Sequence, residues 1–186
     1  MASYVLLDSA SLDLLKQSSE SLAGRLRLFE LHPLHRLEVP PERWNDLWLR
    51  GGFPESLIAA NLQASIQWRR DFIRTYLERD IPQFAPRVSA EALRRFWVML
   101  AHLQGTIVNL AQLARNLMVD VRTANNYLDL LVDLMLVRRL QPWSHNMGKR
   151  LVRSSKIFIR DSGLVHSLLG ISDMDSLLSH PVLYLC

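Results

Sequence analysis

The sequence predicts a mostly α fold of the α+β class that closes with a winged helix-turn-helix, on three observations. Apolar residues recur at spacings of three and four through much of the chain, as amphipathic helices require. Two such helices follow each other between Asn109 and Met135 with only a tight turn between them. Beyond them the pattern shifts to two short strand-like segments flanking a polar, glycine-containing loop.

In that region Asn109 caps a short helix whose Leu110, Leu113, Ala114 and Leu117 share one face. Val119 and Asp120 make the turn. The second helix presents Ala124, Tyr127, Leu128, Leu131 and Met135 to the core. Val137 to Trp143 reads as a strand and Ser155 to Arg160 as its partner. Ser144 to Arg150 is the wing loop, with Gly148 free to take positive φ.

The chain has 186 residues, room for one large domain or two small ones with a real core. Hydrophobic residues make up 49% and charged ones 22%, which excludes a disordered composition. Apolar runs fall well short of the roughly 18 residues of a membrane span, and no secretory leader pattern is present. A cytoplasmic protein without a membrane partner is expected. The lone cysteine, Cys186, rules out an internal disulfide and fits a reducing compartment. The formal charge of +4 permits nucleic-acid binding without establishing it. Basic doublets at Arg69-Arg70, Arg94-Arg95, Arg138-Arg139 and Lys149-Arg150 read first as solvated faces.

From the start, Tyr4 to Leu7 has the apolar run of a buried strand, and Asp8 to Ser11 offers a strand end and helix cap. A helix is expected over Leu12 to Leu22, ended by Gly24, then an alternating strand over Arg25 to Leu31. Two strands are marginal as a sheet, so this region reads as the end of a larger domain. Its open edge would favour self-association.

His32-Pro33 and Pro40-Pro41 mark a linker, followed by a helix over Glu42 to Arg50. Gly51-Gly52-Phe53-Pro54 is a tight turn, with Pro54 opening a helix over Glu55 to Leu62. A longer helix, Ser65 to Asp80, carries Ile66, Ile73, Tyr76 and Leu77 on one side and an Arg74–Glu78 pair on another. Pro82 and Pro86 break the chain. Ser89 then caps a helix striped by Leu93, Phe96, Trp97 and Leu100. After the wing, Asp161 or Ser162 caps a last helix, Gly163 to Leu169, closed by Gly170. The tail to Cys186 shows no completed element.

Several motifs together resemble a prokaryotic family of AAA+-like P-loop ATPases. That family has an ATPase core, a helical and winged-helix middle, and a C-terminal restriction-endonuclease-like domain of unknown function. The motifs are Ser9-Ala-Ser-Leu-Asp-Leu-Leu15, Ser21-Leu-Ala-Gly-Arg25, Leu49-Arg-Gly-Gly-Phe-Pro54, Thr75-Tyr-Leu-Glu-Arg-Asp80, Asn146-Met-Gly-Lys-Arg150 and Arg160-Asp-Ser-Gly-Leu164. The resemblance runs from Tyr4 to Ile171. It implies a remnant of the ATPase sheet over 1–38, a helical lid over 39–104 and a winged helix over 105–171. Residues 172–186 would then begin a C-terminal domain cut short. Asp8 departs from the family's usual glycine. An acid there also reads as a Walker-B carboxylate for Mg²⁺, although Ser21 to Arg25 favours a sensor strand.

By resemblance Ser9 would sit near a γ-phosphate, Arg25 would sense it or act as an arginine finger, and Gly52 and Pro54 would lie near the adenine. The residues alone offer plainer roles: a helix cap for Ser9, a surface strand residue for Arg25, a helix start for Pro54. No P-loop is present, since Gly148-Lys149 runs into Arg150 and lacks the earlier glycine. ATP and Mg²⁺ would therefore be cofactors of an intact member, partnered with the rest of the ATPase core. This chain alone is not expected to turn over ATP, and whether it is an enzyme stays open.

For duplex DNA, Arg122, Thr123, Asn125 and Asn126 open the second helix of the helix-turn-helix, and Lys149 and Arg150 lie in the wing. Asp129 and Asp133 oppose such binding. The six histidines form no H-E-x-x-H and one cysteine builds no zinc site. His32 and His35 read as linker residues. Asp161 lacks the E-x-K of a nuclease and reads as a cap. The functional expectation is a regulatory module coupling nucleotide state to a C-terminal domain. A DNA-binding winged-helix regulator is the alternative, and a ligand-free interaction protein the third reading.

Overall fold

The computed structural model describes residues 27, 29–86, 88–141 and 155–181. A 3₁₀ turn, Pro41–Arg43, leads into α1 (Trp44–Arg50), then α2 (Pro54–Leu57) and α3 (Leu62–Thr75). A π-helical turn, Tyr76–Asp80, carries α3 into α4 (Ile81–Phe84). Next come α5 (Ala90–His102), α6 (Leu110–Leu117) and α7 (Val121–Asp133). The hairpin β1 (Val137–Leu140) and β2 (Lys156–Ile159) precedes α8 (Ser162–Leu169) and α9 (Met174–Leu178). The described residues are therefore mostly helical, with one small antiparallel sheet.

Short polar side chains fix where most of these helices begin. The side chains of Asn61, Ser89, Asn109, Asp120, Asp161 and Asp173 each accept a backbone N–H three residues on. Left-handed residues end two of them, Met118 (φ 56°) after α6 and Gly170 (φ 74°) after α8. Pro82 does not break the chain as the sequence led us to expect. The Ile81 N–H reaches back to the Tyr76 carbonyl, a wide π turn. Pro82 then falls in the first turn of α4, where its missing N–H costs nothing.

One continuous core runs from Ile73 on α3 through Leu93, Phe96, Trp97 and Leu100 on α5 to the helix-turn-helix, the hairpin and Val165 on α8. A smaller cluster joins Leu49, Ile171 and Leu177. In the hairpin Arg138 pairs with Phe158 and Leu140 with Lys156, so Val137, Ile157 and Ile159 face the core. The free edge of β2 is covered by residues 104–107. Gln104 pairs through its side-chain amide with both backbone groups of Ile159, at 2.8 and 3.2 Å. Gly105 N–H donates to Ile157 O at 2.8 Å, and Ile107 bridges to Lys156. Helix-turn-helix, covering segment and hairpin have the arrangement of a winged helix.

Local departures have local causes. Met135 takes positive φ (58°) and is 37% exposed, so the buried place expected for it goes to Leu134. Arg74 pairs with Asp71 at 2.7 Å rather than with Glu78. Of the strand expected over Arg25 to Leu31, the described residues are irregular, and Phe29 and Leu31 face solvent. The helix expected to reach Leu62 stops at Leu57 because Asn61 starts a new one. The tail builds α9, which the sequence reading missed. The strand expected at Tyr4 to Leu7, with its open edge, the helix at Leu12 to Leu22 and the loop Ser144 to Arg150 lie outside the described residues. Among the described residues no helix is long and apolar enough to cross a membrane.

Candidate functional site

The Gly51-Gly52 turn after α1 and the start of α8 meet, although more than a hundred residues separate them in sequence. Gly52 N–H donates to Asp161 Oδ2 at 2.7 Å, while Leu164 N–H donates to Oδ1 at 2.9 Å. Asp161 thus caps its own helix and holds the distant turn with its second oxygen. The contact needs glycine. Gly51 sits at φ 84°, and a Cβ there would overlap the Asp161 carboxylate. A Cβ on Gly52 would strike the Leu34 carbonyl, and one on Gly163 the Arg50 carbonyl.

Behind this turn lies Arg69 of α3, 1% exposed. Its Nη1 donates to Leu49 O at 3.0 Å and to Gly163 O at 3.1 Å, and its Nε to Ser65 O at 3.3 Å. The His166 ring shares the Leu49 carbonyl through Nδ1 at 3.0 Å. A carbonyl can only accept, so Nδ1 carries the proton. Ser56 Oγ donates to Arg50 O at 2.7 Å and meets Ser65 Oγ at 2.9 Å. The carbonyls left open at the end of α1 are thereby answered by side chains of α2, α3 and α8.

Burial governs the electrostatics. It pushes the Asp161 carboxyl up from the usual range, against the Gly52 and Leu164 amides and the Arg69 charge, which pull the other way. It lowers Arg69 to about 10, with Asp161 opposing. It also lowers His166 to about 4, so the ring is neutral at physiological pH. Most described polar groups at this joint are engaged with backbone or a neighbouring side chain, while His166 Nε2 and Arg50 Nε are buried without a hydrogen-bond partner. The arrangement positions helices and leaves no nucleophile paired with a base.

Gly52, expected near an adenine, therefore lies inside the joint with its N–H already taken by Asp161. Pro54 is exposed and opens α2. Ser9, Arg25, Lys149 and Arg150 lie outside the described residues. On α7, Arg122 and Asn126 face solvent. Thr123 Oγ1 donates to Asp120 Oδ2 at 2.8 Å, and Asn125 Nδ2 to Asp129 Oδ2 at 2.6 Å. Arg139 of β1 closes on the other Asp129 oxygen at 2.7 Å.

Sequence reasoning read Arg69, with Arg70, as a solvated face, whereas it is 1% exposed, and it overlooked His166. A signal existed for both. Arg69 falls on the apolar stripe of α3 with Ile66 and Ile73, and His166 stands in a short helix that is apolar nearly all round.

In front of the joint an open cleft of about 1060 Å³ separates α1 from the outward face of the hairpin. Arg36, Trp44, Trp48, Arg138, Phe158 and Arg160 line it, with Gly52 and Asp161 at its floor.

Residues 41–175 match a family described as a domain of unknown function, DUF8612. Two mycobacterial proteins, Rv2008c of Mycobacterium tuberculosis and Mb2031c of Mycobacterium bovis, both described as uncharacterized, are 48% identical to this chain over 182 residues. The match covers 98% of this chain and 41% of each relative, so the chain spans about two fifths of their length. No solved structure matches it. These findings overturn the resemblance to AAA+-like P-loop ATPases, because neither the family nor the relatives are described as ATPases. With it falls the reading of 1–38 as an ATPase remnant and of the whole as a truncated ATPase. The motifs behind it are short, and two of the six, the Gly-Gly-Phe-Pro turn and the Arg-Asp-Ser-Gly-Leu start of α8, have their explanation in packing against each other. By the match over residues 41–175, the chain belongs to the DUF8612 family.

Proposed function

We propose that this domain is a non-enzymatic connector within a longer protein. A helical unit and a winged-helix unit are locked into one body, so a partner held by one is fixed in orientation relative to the other. The observation that carries the reading is Arg69, whose single Nη1 ties the end of α1 to the start of α8. A buried polar network whose members are mostly satisfied adds orientation that apolar packing alone specifies less sharply. The test is urea unfolding followed by tryptophan fluorescence, with hydrogen exchange read separately over α1–α3 and α6–α8. One transition and matched protection in both units support the connector. Two separated transitions in the unaltered protein refute it.

A second reading, DNA binding through α7, is favoured by one contact. The Asp129 carboxylate, which would repel a phosphate backbone, is paired with Arg139. Arg122 and Asn126 then remain solvent-facing at the start of the helix. Anisotropy of a labelled duplex at rising salt decides this. Steeply salt-dependent binding that is weakened by Arg122→Ala favours it, and a flat titration at low salt excludes it.

A further inference from the structure

We propose that the cleft between α1 and the hairpin is a docking groove for an acidic, extended peptide segment of a partner protein. The inference goes beyond the connector reading and does not depend on it.

Strand parity sets one wall. Arg138 and Leu140 on β1 and Phe158 on β2 share the hairpin face turned away from the core. Arg138 and Leu140 are exposed there. The opposite wall is α1 with Trp44 and Trp48, where Arg36 lies over the Trp44 ring at 3.7 Å. The groove thus alternates guanidinium groups with apolar surface. The acids nearby are already engaged within the chain. Both Asp161 oxygens accept backbone amides, and Asp46 lies between Arg43 and Arg50.

The structure already places a peptide carboxylate here. Glu30, from the segment preceding α1, pairs with Arg160 at the rim. The same segment docks by main chain, with Leu34 N–H donating to Gly52 O at 2.8 Å. A carboxylate on Arg160 and a backbone hydrogen bond to the turn are the contacts by which an extended acidic peptide would be read. Single-stranded nucleic acid fits less well, because it needs open aromatic faces for base stacking. Arg36 covers Trp44, and Trp48 packs against the Leu49 cluster.

The experiment titrates the intact chain with three fluorescein-labelled probes: a peptide of alternating Glu and Leu, its Gln-Leu counterpart, and an oligo-dT of equal charge. Saturable binding of the Glu-Leu peptide, at least about tenfold tighter than the other two, is expected. Arg138→Glu, at an exposed position, should weaken it about tenfold with the circular dichroism melt unchanged. Glu30→Gln, which vacates Arg160, should strengthen it. Equal binding of the Gln-Leu peptide, tighter binding of oligo-dT, or no binding of any probe overturns the proposal. So does Arg138→Glu binding like the unaltered chain, or Glu30→Gln failing to tighten it.

Discussion

Arg69 and Gly163 stand 94 residues apart in sequence, and the guanidinium Nη1 donates to the Gly163 carbonyl at 3.1 Å. The same nitrogen holds Leu49 O at 3.0 Å. A charged group is thus buried against Leu49 O at the C-terminal end of α1, where the partial negative charge of the helix suits a cation.

Replacing Arg69 by Met keeps apolar packing but removes the donor that ties Gly163 O of α8 to Leu49 O of α1. Leu49 O retains His166. The expected loss is about 2–3 kcal/mol in urea unfolding, the cost of losing the hydrogen bonds of a buried charged group. A midpoint unchanged from the parent protein would contradict the assigned role. Arg69→Lys should recover only part, since one ammonium lacks the planar fork that spans three carbonyls.

Asp161→Asn tests the second half of the joint. Both carboxylate oxygens accept an N–H, and an amide side chain offers only one acceptor. Either Gly52 or Leu164 would then face an NH₂. Destabilisation of about 2–3 kcal/mol is expected, more than a lost helix cap alone. Hydrogen exchange should quicken at Gly52 and Leu164 before the helix-turn-helix responds.

Gly163→Ala adds one methyl group where the Arg50 carbonyl already lies too close for it. The obstacle is backbone, so α8 must shift away from α1. The expected cost is about 3 kcal/mol or more, at the upper end for overpacking. Gly170→Ala is the informative contrast. No atom lies within 4 Å of a Cβ there, so its cost comes from the φ of 74° alone and should be about 1 kcal/mol.

His166 gives a pH dependence with a definite sign. Burial lowers its folded value from 6.5 to about 4, with the Leu49 hydrogen bond opposing and Arg69 and His180 adding repulsion. The unfolded chain therefore binds this proton more readily. The stability is present above pH 6.5 and is lost as pH falls toward 4, by about 3 kcal/mol across that window. His166→Asn keeps a donor near Leu49 O and cannot titrate, so its stability should vary less with pH over the same range. Asp161 shifts in the opposite sense, with a raised folded value, and so gains stability as pH falls. The difference between parent and variant isolates the histidine. Parallel stability-against-pH curves would refute the assignment.

Much of the local structure could be read in advance from short-range chemistry. Ser89, Asn109 and Asp161 cap the helices expected of them because capping depends on a side chain and an amide three residues away. The amphipathic stripes of α5 and α7 bury as their spacing implies. The misreading at Pro82 has the same origin, since a proline breaks a helix only where an N–H is required. The π turn before it moves that requirement elsewhere.

By itself the sequence determined the class of fold, several of the helix starts and the two strand segments of the hairpin, all properties of neighbours in the chain. Only the tertiary structure decided what Gly52, Arg69, Asp161 and His166 are for. Their partners are backbone groups, which every residue carries, so nothing in the pattern of side chains names which amide or carbonyl will be met. Burial then set their charge states, since desolvation depends on what packs around a group and not on its place along the chain.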